Sequence, residues 1–276
     1  MTPQSHLDEI FMTTHGSSSC HITHLCLDAR MLLKYLRLLH AFVRAFWILW
    51  SHFPKASREQ KLALIQKWST HVLCIMGIQV CMDSPSHPPT SPEPQLLVAN
   101  HVSWLDVLVI QSLRPSIFVA KSEVRNWPWV GSIAQACGVI FVDRSSPSSA
   151  RNMVDEVANA LQNGYCVAGF PEGTSSEGRE VSLFHANLFE AAIHRQVQVY
   201  PVALRYTDKT TGHLCTKAAF VGDISFVASL HQVMCTNAIH VVVHAGKPLS
   251  PQGHSRRTLA HLSHRSVVTQ LEMLQA

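Results

Sequence analysis

Charge is scarce in this sequence. Lysine, arginine, aspartate and glutamate make up 14% of its 276 residues, against about 25% in an ordinary soluble domain. The balance, 22 basic against 18 acidic residues for a formal net charge of +4, is too slight to argue for nucleic acid. It suits a protein that rests on an anionic lipid surface. C-x-x-C pairs are missing altogether, although eight cysteines occur, several inside apolar runs such as Tyr165-Cys166-Val167-Ala168. They read as reduced thiols, used as small core residues in a reducing compartment. His21 and His24 could share a helix face, but no third ligand is obvious, so no metal site is expected. A secretory signal is lacking too. Residues 1–28 carry Asp8, Glu9 and Asp28 and have neither a basic start nor an apolar centre, and they read as a loosely ordered polar extension. The sequence shows no internal repeat.

What is present is apolar residue, 47% of the chain, enough for one large core or two small ones. Residues 29–50 read as a helix rich in Leu, Phe and Trp. Arg37, His40 or Ala41, and Arg44 share one stripe, while Phe42, Phe46, Leu49 and Trp50 fall elsewhere. The apolar stretch after Arg44 is too short to span a bilayer, so this helix is expected to lie in the lipid interface. Pro54 ends it. Leu62, Ile65, Trp68, Val72, Leu73 and Met76 then mark a second helix over 57–79, and together the two make a membrane-interfacial hairpin over 29–82. A proline-rich linker is expected at 83–94. Beyond it, over 95–276, short apolar strands at 95–99, 117–120, 138–142, 165–169, 198–204 and 239–244 alternate with helical patterns at 104–113, 148–163 and 185–195. A last helix, about 255–274, opens with Arg256-Arg257. Alternation of this kind predicts a layered α/β domain with a largely parallel central sheet. Chemistry in such sheets sits where strands end and helices begin.

Two segments occupy such places. Asn100-His101-Val102-Ser103-Trp104-Leu105-Asp106 follows the apolar run Leu96–Ala99. If strand turns to helix there, Asp106 comes round to the side of His101. A carboxylate that orients an imidazole makes a general base, able to take the proton of a hydroxyl. Asn100 or Ser103 could equally be a plain helix cap. The second segment, Gly169-Phe170-Pro171-Glu172-Gly173-Thr174-Ser175-Ser176-Glu177-Gly178, follows strand 165–169 and offers backbone N–H groups to an anion. Glu172 could bind a substrate hydroxyl or orient the loop. Ser175 sits in a near miss of the nucleophile-elbow pattern, which requires glycine at position 177. Asp143 and Arg144 follow Val139–Val142, where Arg144 can grip a phosphate and Lys121 can add a second contact. The apolar run Val199-Tyr200-Pro201-Val202 carries a proline that suggests an edge strand or a bulge.

In their order, these blocks resemble the 1-acyl-sn-glycerol-3-phosphate acyltransferase family of lysophospholipid acyltransferases, in its proteobacterial form, over roughly residues 60–250. The N-H-x4-D block matches Asn100, His101 and Asp106. The K-x2-L-x6-G-x12-R pattern matches Lys121, Gly131 and Arg144, with Val124 in place of leucine. The F-P-E-G-T block matches Phe170 to Thr174, and the proline strand matches Val199–Val202. The resemblance implies a base, His101, held by Asp106, and an acceptor positioned by Lys121, Arg144 and Glu172. Backbone N–H groups near Gly173 and Thr174 would face the oxyanion. It implies acyl-CoA or acyl carrier protein as co-substrate, no cofactor or metal, and a lysolipid acceptor; the reduced cysteines and the missing signal favour a place at the cytosolic face of the inner membrane. The implied acceptor is 1-acyl-glycerol-3-phosphate, with lyso-ornithine lipid as the rival. Ser175 stands where many members carry arginine, which puts the acceptor head group in question. Two other classes remain at this stage: a hydrolase or transacylase with Ser175 as nucleophile, and a lipid-binding protein without catalysis.

Overall fold

The computed structural model describes residues 18–83, 93–143, 147–236 and 238–274, and for 18–28 and 147 the backbone alone. Its strands are β1 (Gln79–Met82), β2 (Leu96–Ala99), β3 (Ile117–Lys121), β4 (Ile140–Val142), β5 (Val167–Gly169), β6 (Val199–Asp208) and β7 (Ile239–Ala245). Its α-helices are α1 (Ser18–Ser51), α2 (Arg58–Met76), α3 (Leu105–Leu113), α4 (Val130–Ala136), α5 (Pro147–Gln162), α6 (Asn187–Arg195), α7 (Phe226–Cys235) and α8 (Arg256–Met273). The strands form one sheet in the order β1-β7-β6-β2-β5-β3-β4. Every neighbouring pair is parallel except β6 with β7.

The sheet divides two apolar layers, and β2 shows why its sequence reads as an unbroken apolar run. Leu97 and Ala99 point into a core shared with α1, α2, α3 and α7. Leu96 and Val98 point into the opposite core, shared with α5, α6 and α8. Successive side chains of a strand alternate in face, so a strand covered on both sides must be apolar throughout. The same alternation puts Val202, Leu204 and Tyr206 of β6 on the α3 side, which matters for the site below.

The hairpin differs from the expected one in three respects. Helix α1 starts at Ser18, inside the segment read as a polar extension. Helix α2 starts at a capping box, with Ser57 accepting from the Gln60 N–H and the Gln60 side chain accepting from the Ser57 N–H, a device worth about 1 kcal/mol. It ends at Gly77, whose left-handed φ of 78° closes the helix. Residues 79–82, expected as hairpin, are instead strand β1, paired in parallel with β7. The hairpin's inner face also belongs to the main core. Leu38 and Ala41 of α1 and Val72, Leu73, Ile75 and Met76 of α2 pack in one cluster with β2, and Trp68 donates its indole N–H to the Ala41 carbonyl, 3.1 Å. Of the linker expected at 83–94, residues 84–92 lie outside the described residues.

Pro201 lies on an interior strand, not an edge, but at an irregularity of the bulge kind. Between the Val199–Leu249 bridge and the Val202–Ala245 pair the partner segment is one residue longer than β6, and there Pro201 accepts from the Gly246 N–H, 2.9 Å, and has no N–H to return. The cysteines are less buried than expected. Cys166 and Cys215 are core residues, but Cys74, Cys81 and Cys235 are exposed. The side chains of Cys20, Cys26, His21 and His24 lie outside the described residues.

Candidate active site

Where β2 runs out at Ala99, seven residues build the centre of the site. Asn100 does not cap α3. Its side chain accepts from the Leu204 N–H at 2.8 Å and donates to the Leu204 carbonyl at 3.0 Å, acting as an extra rung that pins the loop to β6. His101 comes next, and α3 begins at Leu105, so Asp106 sits in its first turn. The Asp106 side chain is 0% exposed. Its Oδ2 accepts from the N–H groups of Val102 (2.7 Å) and Ser103 (2.9 Å) and faces His101 Nδ1 at 2.8 Å. Its Oδ1 accepts from the Tyr206 hydroxyl at 2.6 Å. Four donors replace the water that this buried carboxylate has lost.

The partners settle the histidine's chemistry. A carboxylate only accepts, so Nδ1 carries the proton and Nε2 is left as the basic nitrogen. The ring stacks on Phe170, centroids 4.1 Å apart and planes 7° apart, and its side chain keeps 23% of its surface exposed. Tyr206 was not foreseen from the sequence, because the expected strand ended at residue 204 while β6 runs to Asp208. Its place on the strand was nonetheless readable, since Val202, Leu204 and Tyr206 share one face. Burial, and next the Asp106 carboxylate, pushes the Tyr206 phenol well above its ordinary pKa, so it stays a donor.

The second loop braces the first from behind. Glu172 accepts the His101 backbone N–H on Oε1 (2.6 Å) and the Ser182 N–H on Oε2 (2.7 Å). Ser176 N–H donates to the His101 carbonyl, 2.9 Å. His101 is therefore fixed at both of its backbone polar groups. Burial raises the Glu172 carboxyl above its ordinary pKa, opposed by those two N–H bonds. Of its two expected roles, Glu172 fills that of loop brace, for both its oxygens are engaged by backbone. The Gly173 N–H donates to the Phe170 carbonyl, 3.1 Å. It closes a turn at a φ of 79°, and is not aimed at an oxyanion as expected.

His101 opens on an apolar cavity of about 350 Å³, within the range of small-ligand sites. Its polar wall includes His101, Lys121, Gly173, Thr174 and Ser175. The facing wall is the hairpin, with Phe42, Leu49, Ile65, Trp68, Val72 and Met76. Cys137 also lines it, but burial pushes that thiol to about 12, where it is an inert side chain rather than a nucleophile. Among the described residues, no three His, Cys, Asp or Glu side chains gather as a metal site would require.

Comparison with known proteins decides the family. An acyltransferase family model matches residues 84–205. The lyso-ornithine lipid O-acyltransferase of Pseudomonas aeruginosa is 31% identical over 246 residues, covering 86% of this chain and 92% of that protein. The chain belongs to this acyltransferase family. A 1-acyl-sn-glycerol-3-phosphate acyltransferase of Neisseria gonorrhoeae is 38% identical over 157 residues, 57% of this chain and 59% of the relative. The crystal structure of the 1-acyl-sn-glycerophosphate (LPA) acyltransferase from Thermotoga maritima aligns with a TM-score of 0.64 at 21% identity, over 93% of this chain and 98% of that one, which supports the fold.

Within the acyltransferase, the remaining expected residues are placed unevenly. Lys121 ends β3 on the cavity wall. Gly131 is a structural requirement rather than a ligand, because a Cβ there would lie 2.0 Å from the Arg125 carbonyl oxygen. Thr174 is exposed at the cavity wall. Ser175 donates its hydroxyl to the Phe220 carbonyl, a partner that cannot act as a base on it. Arg144 lies outside the described residues.

Proposed function

We propose that this acyltransferase moves a fatty acyl group from an acyl thioester, on CoA or acyl carrier protein, to the free hydroxyl of a membrane lysolipid. One observation carries the reading: His101, with Nδ1 fixed by a fully buried Asp106, lines an apolar cavity. His101 Nε2 takes the hydroxyl proton as the oxygen attacks the thioester carbonyl. Asp106 stabilises the imidazolium that forms. The carbon–sulfur bond then breaks, and the thiol leaves with the proton from Nε2. No acyl-enzyme and no cofactor enters this scheme. A positioned general base contributes roughly 10²–10⁴-fold, and the rest falls to holding both substrates in register.

The acceptor head group follows from charge. A phosphate monoester carries about two negative charges near neutrality and calls for several cations, whereas ornithine's one carboxylate is balanced by its own amine. Among the described residues lining the cavity, Lys121 is the one lysine or arginine, and Ser175 is tied to Phe220. The relative matched over most of its length is a lyso-ornithine lipid acyltransferase by name. These favour lyso-ornithine lipid. Lys121 together with Arg144 is the arrangement that would serve 1-acyl-glycerol-3-phosphate instead.

The membrane enters through α1. Leu32, Leu36, Leu39, Val43, Trp47 and Trp50 are all exposed and recur at three and four along the helix, one outward stripe. Exposed Arg37 and Arg44 accompany it. Among the described residues no helix is long and apolar enough to cross a membrane. A helix of this kind rests in the lipid interface, which we assign to the cytosolic face of the inner membrane. The test offers the purified protein labelled acyl-CoA or acyl carrier protein with each lysolipid in turn. Labelled diacyl product from lyso-ornithine lipid, well above that from 1-acyl-glycerol-3-phosphate, is expected. The reverse preference overturns the head-group assignment, and release of free fatty acid alone overturns acyl transfer.

A further inference from the structure

Acyl transfer to a lysolipid brings two hydrocarbon chains to one hydroxyl: the incoming acyl group and the chain the acceptor already bears. The catalytic cavity is one place for a chain. A second apolar recess, about 310 Å³, lies beside it between α1, α7 and the 128–130 segment, with Leu36, Leu39, Pro128 and Trp129 in its lining. Phe42, Val130, Phe226 and Leu230 line both spaces, so the recess shares part of its wall with the cavity that holds His101.

We infer that this recess holds the resident acyl chain of the lysolipid acceptor, while the catalytic cavity takes the incoming chain. This deepens the acceptor reading above and rests on it. Three observations select that occupant. The recess carries no charged side chain among its lining residues, which suits hydrocarbon and not a head group. Leu36 and Leu39 belong to its lining and also to the exposed stripe of α1, so it is continuous with the face assigned to the lipid surface. An acceptor resident in the bilayer arrives from that side, whereas a thioester on CoA or a carrier protein arrives from water. Finally, Trp129 is 55% exposed at a φ of 64°, a backbone region that side-chain-bearing residues avoid. It sets the indole over the recess, 6.0 Å from the Phe42 ring.

The experiment fills the recess and reads the acceptor's chain length. Leu39→Trp enlarges an exposed side chain, so the core is untouched, and a tryptophan strengthens rather than weakens contact with a lipid interface. Steady-state kinetics on the full chain compare an acceptor bearing a sixteen-carbon chain with one bearing six carbons, each at saturating acyl donor. The preference for the long-chain acceptor, as a ratio of kcat/KM values, is expected to fall about tenfold in Leu39→Trp through a raised acceptor KM, with the donor's KM unmoved. Val227→Trp, an exposed neighbour outside the recess, should keep the wild-type ratio. A preference unchanged in Leu39→Trp, or a rise in the donor's KM in its place, overturns the assignment. Wild-type protein that acylates neither acceptor overturns the acceptor reading itself, a distinct result.

Discussion

The two walls of the catalytic cavity are built on opposite principles. On the wall of His101, the polar groups that fix the base in place are each held by a named partner. Asp106 has four donors, Glu172 two backbone N–H groups, and Asn100 both polar groups of Leu204. On the hairpin wall, Phe42, Leu49, Ile65 and Trp68 offer surface and little else. The first wall depends on direction, because a hydrogen bond weakens steeply off its axis. The second depends on volume, because burial of apolar area has no preferred direction. Substitution should therefore abolish the reaction on one wall and merely retune it on the other.

The largest loss belongs to the base. His101→Ala is expected to lower kcat by roughly 10³-fold or more in a protein that still melts as a folded one, and Asp106→Asn by roughly 10²–10⁴-fold, with a smaller change in acceptor KM. Steady-state kinetics beside thermal melts check both, and a kcat near wild type in either variant removes that residue from its role. Tyr206→Phe comes next. It leaves Asp106 Oδ1 buried without its donor, a cost of about 1.5–3 kcal/mol in denaturant unfolding. Because the carboxylate that orients His101 then loses one of its four fixed donors, kcat should fall about tenfold. A loss of stability with kcat unmoved would mean that Tyr206 only packs.

Glu172→Gln probes the brace through pH. Burial raises the folded-state pKa of Glu172 above its unfolded value, so the folded protein holds that proton more tightly. Its contribution to stability is therefore largest below the unfolded value, about 4.3, and is lost as pH rises through the folded one. The stability of the wild type relative to Glu172→Gln should fall across that window. A difference independent of pH would contradict the cause given for the shift. The smallest effect is expected across the cavity. Ala45→Phe, on the hairpin wall, should shift donor preference a few-fold toward shorter acyl chains, at about 1–3 kcal/mol of overpacking, while the pH profile stays in place.

The same contrast explains what could be read from the sequence. The directional wall was legible at His101 and Asp106 because their chemistry demands fixed residue types at fixed spacing. The central strands were legible because a sheet covered on both faces forces apolar runs. Glu172 was found, but its role was not decided, since a carboxylate facing two backbone N–H groups and one facing a substrate look alike in a one-dimensional pattern. Tyr206 escaped because its partner lies a hundred residues earlier, and only the register of β6 against α3 brings them together. The hairpin showed its helices but not which face was buried. Ala41, read on a basic stripe, is core, and the outward stripe is itself apolar. Strand β1 was missed because Gln79–Met82 is a four-residue edge strand whose pairing with β7 lies far along the chain.

The most direct test follows the acyl group. Purified protein is mixed with labelled acyl thioester, first without and then with lysolipid acceptor, and both protein and lipid are analysed after a rapid quench. Transfer by the His101–Asp106 base predicts label in the lipid alone, appearing only when acceptor is present, and an unmodified protein mass throughout. Label bound covalently to the protein at Ser175, forming before acceptor is added and passing from there to the lipid, would contradict it.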